Sequence, residues 1–350
     1  MRIIVHFGMP KTGSSSIQYS LFKNRSNLNL SYPALGTRNH QIILNQAFSR
    51  QKKDAQIKLA KQLAVNFEKN CDTLLSGETI FNLSFDELKE FYFFLSNYAE
   101  KIIAVGYIRS PKSFMESAFQ QSLKSALINN KKREKFNFHK AFPNYKSKFE
   151  KFDEIFGKEN VYFWKFSPSD FPNNCVVTHF CQQLNINVDR NSIVRFNDAL
   201  SLEAISLLYA YLRYGKDLGL KNFGKKEGRF FLNLLAQYPS EKKLRFASKL
   251  VLPVFSRQNH HIDWMEKRMG VSLSEDLSKD DKYAICSESD LLIFSAETKK
   301  WLAEKLGENY IAQCNQQISS QEIADWMNIL HLKINQQQRV TARQRLAAVN

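Results

Sequence analysis

Ile3 to Phe7 is a short apolar run of mostly β-forming residues that ends at Gly8. From about Ser15 the spacing turns helical, with Ile17, Leu21 and Phe22 as its apolar positions. The pattern predicts a strand, a loop and a helix. Further strands are predicted at Asp72 to Ser76, Lys101 to Ile108 and Val161 to Phe166, separated by helical stretches such as Ile57 to Phe67 and Phe85 to Ala99. Near-continuous apolar strands that alternate with helices indicate a parallel sheet covered on both faces.

After about residue 200 the strand signal fades. Leu202 to Leu212, Glu241 to Leu250 and Glu297 to Leu306 read as helices, and Ser319, Ser320, Gln321 and Glu322 carry a capping-box pattern opening one more helix through Ile329. The expected organisation is an α/β core over 1–200, a helical region over 201–333 and a polar tail over 334–350. The tail fits either disorder or a further helix. No internal repeat is present.

Composition narrows the partners. Fifty Lys and Arg against 34 Asp and Glu give a net charge of +16, so the surface attracts anions: nucleotides, acidic glycans, nucleic acid or acidic lipid. The basic clusters, Lys131, Lys132 and Arg133, then Lys146, Lys148 and Lys151, read as solvated faces. The five cysteines are odd in number and form no CxxC pair, which argues against a disulfide framework or a zinc site. No secretory signal pattern and no stretch of about 20 apolar residues is found. The expectation is a cytoplasmic protein without a membrane span, with peripheral membrane contact left open.

Between the first strand and the first helix lies Gly8-Met9-Pro10-Lys11-Thr12-Gly13-Ser14-Ser15-Ser16. Backbone N–H groups at a helix start, together with the helix dipole, favour an anion here. Gly8 and Gly13 have the spacing of a nucleotide-binding P-loop, but Ser14 stands where that motif needs lysine, and the lysine lies inside the loop as Lys11. No predicted strand ends in the acidic residue of a Walker B element. The alternative without a ligand is a serine-rich helix cap, since Ser15 and Gln18 have capping-box spacing. A lysine beside the positive end of a helix argues against it, because that charge is unfavourable unless an anion offsets it.

Pro10 through Ser15 resemble, position by position, the 5′-phosphosulfate loop of sulfotransferases that use 3′-phosphoadenosine-5′-phosphosulfate (PAPS). With His6 and Gln18 the segment looks like the bacterial members that modify polysaccharides and other glycans. The resemblance implies a three-layer α/β/α fold like that of P-loop NTPases, with a central parallel sheet and a mainly helical C-terminal region. It implies that Pro10, Lys11, Thr12, Gly13, Ser14, Ser15 and Ser16 hold the donor. In Gly106 to Ser117 a strand ends in Arg109, and Pro111 suits the first position of a helix capped by Ser110. Arg109 and Ser117 resemble the family's pair for the ribose 3′-phosphate. Gly224 to Arg229 looks like a basic loop that closes over the nucleotide, and reads equally as a basic turn between helices. Arg195 to Ser201 and Trp264 to Gly270 carry fainter likenesses to the bacterial members.

The chemistry so implied is transfer of a sulfuryl group from PAPS to a hydroxyl or amino acceptor on a glycan or glycolipid, releasing 3′-phosphoadenosine-5′-phosphate (PAP) without a metal. Lys11 stabilises the leaving phosphate. Glu78, after the second strand, is the first candidate base, and His40 the second. His6 reads as structural. A nucleotide kinase or ATPase, and a non-enzymatic polyanion-binding protein, are the competing classes. No nucleic-acid-binding signature supports the latter.

Overall fold

Four of the apolar runs are strands: β1 (Arg2–His6), β2 (Thr73–Ser76), β3 (Lys101–Ile108) and β4 (Val161–Lys165). A computed structural model describes residues 1–129, 135–196, 199–215, 225–275, 284–313 and 318–347. All four strands are parallel, in the order β2-β1-β3-β4. The register sets Ile3 beside Thr73 and Val5 beside Ala104.

Successive side chains on β1 point to opposite faces, and each face is covered. Ile3, Val5 and Phe7 pack with Leu59 and Leu63 of α2 (Lys53–Glu68), Leu88 and Phe91 of α3 (Phe85–Ser96), and Phe149 and Phe152 of α5 (Tyr145–Phe156). Ile4, Val105 and Tyr107 pack on the other face with Ile17 and Leu21 of α1 (Ser14–Lys23), and Val177 and Phe180 of α6 (Val176–Leu184). Burial on both sides is why these strands read as unbroken apolar runs.

The chain forms two compact units. The first comprises Met1–Phe114, Pro143–Asn197 and Gln258–Glu275 and holds the whole sheet; the second comprises Met115–Phe142, Asp198–Arg257 and Asp276–Asn350. The helix α4 (Pro111–Ile128) starts in the first unit and continues in the second. The units therefore interleave along the chain and do not divide it once near residue 200. In the second, the helix Leu202–Tyr214 is buried from Ala204 to Leu212, and Tyr211 Oη lies 2.9 Å from His331 Nδ1 on the helix Ser320–Ala347. That helix runs through the expected tail, and Ser319 and Glu322 form the expected cap.

Two expectations are corrected here. Residues 241–246 are not helical: Phe246 bridges to Ile285, because Glu116 takes the Phe246 N–H and the Arg245 guanidinium, both at 2.9 Å. The helix begins at Ser248. Lys225–Leu235 is a helix from its first residue, so Lys225 to Arg229 do not form a loop. Gly224, the run Lys131 to Arg133, Asn197, Asp198 and Cys314 lie outside the described residues. The four described cysteines are free thiols, and no described helix is long and apolar enough to cross a membrane.

Candidate functional site

The strand order reverses at β1 and β3, which lie side by side in the middle of the sheet with their following segments leaving in opposite directions. Such a reversal opens a crevice at the carboxyl ends of the strands. Met9 stays fastened to β3 through its N–H to the Tyr107 carbonyl at 3.5 Å, and the loop then turns through Lys11 and Gly13, both left-handed at φ +65° and +81°. Thr12 Oγ1 donates to the Met9 carbonyl at 2.7 Å and closes the turn.

Gly8 is required by space. A Cβ there would stand 2.7 Å from Ser14 Oγ, 3.3 Å from Thr12 Oγ1 and 3.5 Å from His6 Nε2. Three polar atoms thus converge on one backbone position, and two of them, Ser14 Oγ and His6 Nε2, are buried with no hydrogen-bond partner among the described residues. Leaving buried polar atoms unmatched costs about 1–3 kcal/mol each.

The first helical bond of α1 runs from Ile17 N to the Gly13 carbonyl at 3.1 Å, so the N–H groups of Ser14 to Ser16 have no acceptor within the helix. No side chain caps this end and its first turn holds no acidic residue. The capping box of Ser15 and Gln18 does not form: Ser15 is exposed within the helix, and buried Gln18 donates to Ser76 Oγ at 3.1 Å. Ser16 Oγ accepts the Phe196 N–H at 3.0 Å. An open helix start, a lysine within the loop and two unmatched buried polar atoms form a polar cradle of the kind that suits an anion such as phosphate or sulfate.

Arg109 serves this loop. Its Nη1 donates to the Lys11 carbonyl at 2.9 Å and its Nε to Ser113 Oγ at 3.2 Å, while its own carbonyl accepts from Tyr145 Oη at 2.6 Å. These bonds make it a positioning residue for Lys11, a role its strand-end location did not reveal. The start of α4 is closed by a carboxylate from a distant part of the chain. Glu275, more than 160 positions downstream, receives the N–H groups of Lys112 at 2.9 Å and Ser113 at 3.2 Å, and burial pushes its carboxyl up. Ser117 lies in the second unit, so the first unit by itself does not pair it with Arg109.

Glu78 opens a 3₁₀ turn (Glu78–Asn82) at the carboxyl end of β2. This is the edge of the sheet on which the Lys11 loop sits, since β1 and β2 are parallel neighbours. Lys151, read from sequence as part of a solvated face, donates to the Phe81 carbonyl at 3.0 Å and to the Leu83 carbonyl, holding the far end of that turn. Burial, with Lys148 nearby, lowers its pKa to about 8.

His40 is corrected from candidate base to scaffold. Its Nδ1 accepts the Ser76 N–H at 3.1 Å, which puts the proton on Nε2, and Nε2 donates to the Pro33 carbonyl at 2.9 Å. Both ring nitrogens are committed, and burial lowers its pKa to about 4. His6, whose Nδ1 lies 2.8 Å from Ser76 Oγ, is lowered by burial to about 3.

These depressed values set the acid response of the fold. Each histidine stays neutral when folded but takes a proton below pH 6.5 when unfolded, so stability is full above 6.5 and declines as pH falls toward the folded values. The expected slope is about 1.4 kcal/mol per pH unit for each histidine. Urea midpoints measured from pH 7.5 to 5, above the carboxylate range, should decline, and His40→Gln should remove one histidine's share. A slope unchanged in that variant would show that His40 does not titrate this way.

No protein-family model, curated protein or solved structure matches the chain. Among the described residues no cluster of His, Cys, Asp or Glu is arranged to hold a metal ion.

Proposed function

We propose that the protein is a sulfotransferase that moves a sulfuryl group from PAPS to an acceptor hydroxyl, on a P-loop-like α/β core. The observation that carries this reading is the loop itself. It joins an open helix start to a lysine at position 11, while a serine occupies position 14, where a nucleoside triphosphatase keeps its lysine.

In this reading the N–H groups of Ser14 to Ser16 and the Ser14 hydroxyl hold the 5′-phosphosulfate. In the same reading Lys11 donates to the oxygen bridging phosphorus and sulfur. Glu78 accepts the proton of the acceptor hydroxyl as its oxygen bonds to sulfur. The bond from sulfur to the bridging oxygen breaks, and PAP leaves with that electron pair on its phosphate. Arg109 holds the Lys11 carbonyl, so its contribution is to the shape of the loop.

Calorimetric titration with PAP, adenosine 5′-phosphate and Mg-ATP tests the reading. PAP should bind in the presence of a chelator and raise stability by RT ln(1 + [L]/Kd), about 2.7 kcal/mol at 100-fold excess over Kd. Arg109→Ala should weaken PAP and adenosine 5′-phosphate alike, because the loop that both share is loosened. Mg-ATP binding tighter than PAP binding would replace the sulfotransferase by a kinase or ATPase.

A further inference from the structure

A groove of about 870 Å³ opens on the first unit between α1 and the facing segment 36–42. Its walls carry Tyr19 and Phe22, the cations Lys23, Arg25 and Arg38, and Ile42, and none of its lining residues is acidic. Ile42 is 59% exposed, a large aliphatic side chain left beside aromatic faces. The arginines are held against those faces: Arg25 lies 4.4 Å over the Phe22 ring and Arg38 4.9 Å over the Tyr19 ring. Tyr32 Oη donates to the Arg38 carbonyl at 2.6 Å and fixes that wall.

Two of the groove's lining residues neighbour elements of the site described above. Gln41, one of its lining residues, packs its backbone against Gly77, where an added Cβ would meet it at 3.3 Å, and Glu78 is the next residue. At α1, the Tyr19 ring meets Phe196 edge-on at 5.3 Å between centroids, and the Phe196 N–H is the one bound to Ser16. One lining residue, Gln41, thus neighbours the residue before Glu78, and others lie on the helix that begins in the Lys11 loop.

We propose that this groove is the acceptor site and that its ligand is an anionic sugar chain, carrying carboxylate or sulfate groups. This assignment of an acceptor rests on the sulfuryl-transfer reading. Aromatic and aliphatic surface suits the C–H faces of sugar rings, guanidinium groups match carboxylate and sulfate in paired hydrogen bonds, and the absence of lining carboxylates removes repulsion. An alcohol-bearing chain laid here brings hydroxyls to the side of Glu78. Single-stranded nucleic acid shares charge and rings, but the groove holds one aromatic ring on each of two successive helical turns and no continuous stacking platform.

The test is binding of a galacturonic-acid hexamer, maltohexaose and a ten-residue oligouridylate to the full chain, with PAP affinity measured in parallel. The acidic hexamer should bind best, and its affinity should fall with salt. Arg25→Ala with Arg38→Ala should weaken it by about 10-fold or more, Tyr19→Ala should weaken it with the charge unchanged, and PAP affinity should stay within about 2-fold because none of the three belongs to the loop. Equal binding of the neutral and acidic hexamers, an unaffected double variant, or tighter binding of oligouridylate would overturn the proposal. If the wild-type chain fails to bind PAP but holds the acidic hexamer through the two arginines, the transfer reading falls and the ligand class of the groove stands.

Discussion

Lys11→Ala is expected to lower turnover by about 10²- to 10³-fold, the loss seen when one donor to a developing anion is removed, and to weaken PAP binding as well. In the proposed reaction the ammonium faces charge already present in the ground state and charge that grows on the bridging oxygen as it leaves, which accounts for both effects. The backbone supplies a control. Lys11 is left-handed at φ +65°, a conformation costing a side-chain-bearing residue about 1–2 kcal/mol and glycine little. Lys11→Gly should therefore raise the melting temperature while abolishing most activity. Stability and activity moving in opposite directions at one residue marks a site shaped for a ligand. A Lys11→Gly protein that is both more stable and fully active would remove Lys11 from the chemistry.

Glu78→Gln is expected to reduce turnover by about 10²- to 10⁴-fold with PAP affinity unchanged. The amide keeps the size and hydrogen-bonding reach of the carboxylate but cannot take the acceptor proton. The turn that holds it is anchored at its other end by Lys151, so the substitution should leave the backbone in place. Lys151→Met tests that anchoring separately: it should lower turnover through position, less than Glu78→Gln does, and returning arginine at 151 should restore part of the loss. Transfer to a uronic-acid oligosaccharide, followed by release of PAP, measures both. Turnover of Glu78→Gln within about 2-fold of the wild type would exclude Glu78 as the base.

The strands and the loop were legible in the sequence for the same reason: their side chains answer to local rules. β1 and β3 are buried on both faces and so are apolar over Ile3 to Val5 and Ile102 to Ile108, and the loop carries Gly13 where the backbone is left-handed. Residues whose roles depend on distant partners were not legible. Nothing near Glu275 signals that its carboxylate closes the start of α4, and nothing near His40 signals that both its nitrogens hold backbone from other segments. The Glu241 to Leu250 misreading has the same origin. Phe246 and Leu250 stand four apart, as on one face of a helix, yet the Glu116 carboxylate captures the Phe246 N–H and holds the segment extended. That Arg109 holds the Lys11 carbonyl was not legible either, because a backbone carbonyl has no letter in the sequence.

Gly13 has a consequence for the order in which the protein is made. A Cβ on this residue would stand 2.6 Å from Val176 Cγ1, so the loop takes its shape against the first residue of α6, which follows β4 in the chain. The wall that confines the cradle is synthesised some 160 residues after it. A nascent chain therefore carries the motif long before it carries the wall that shapes it.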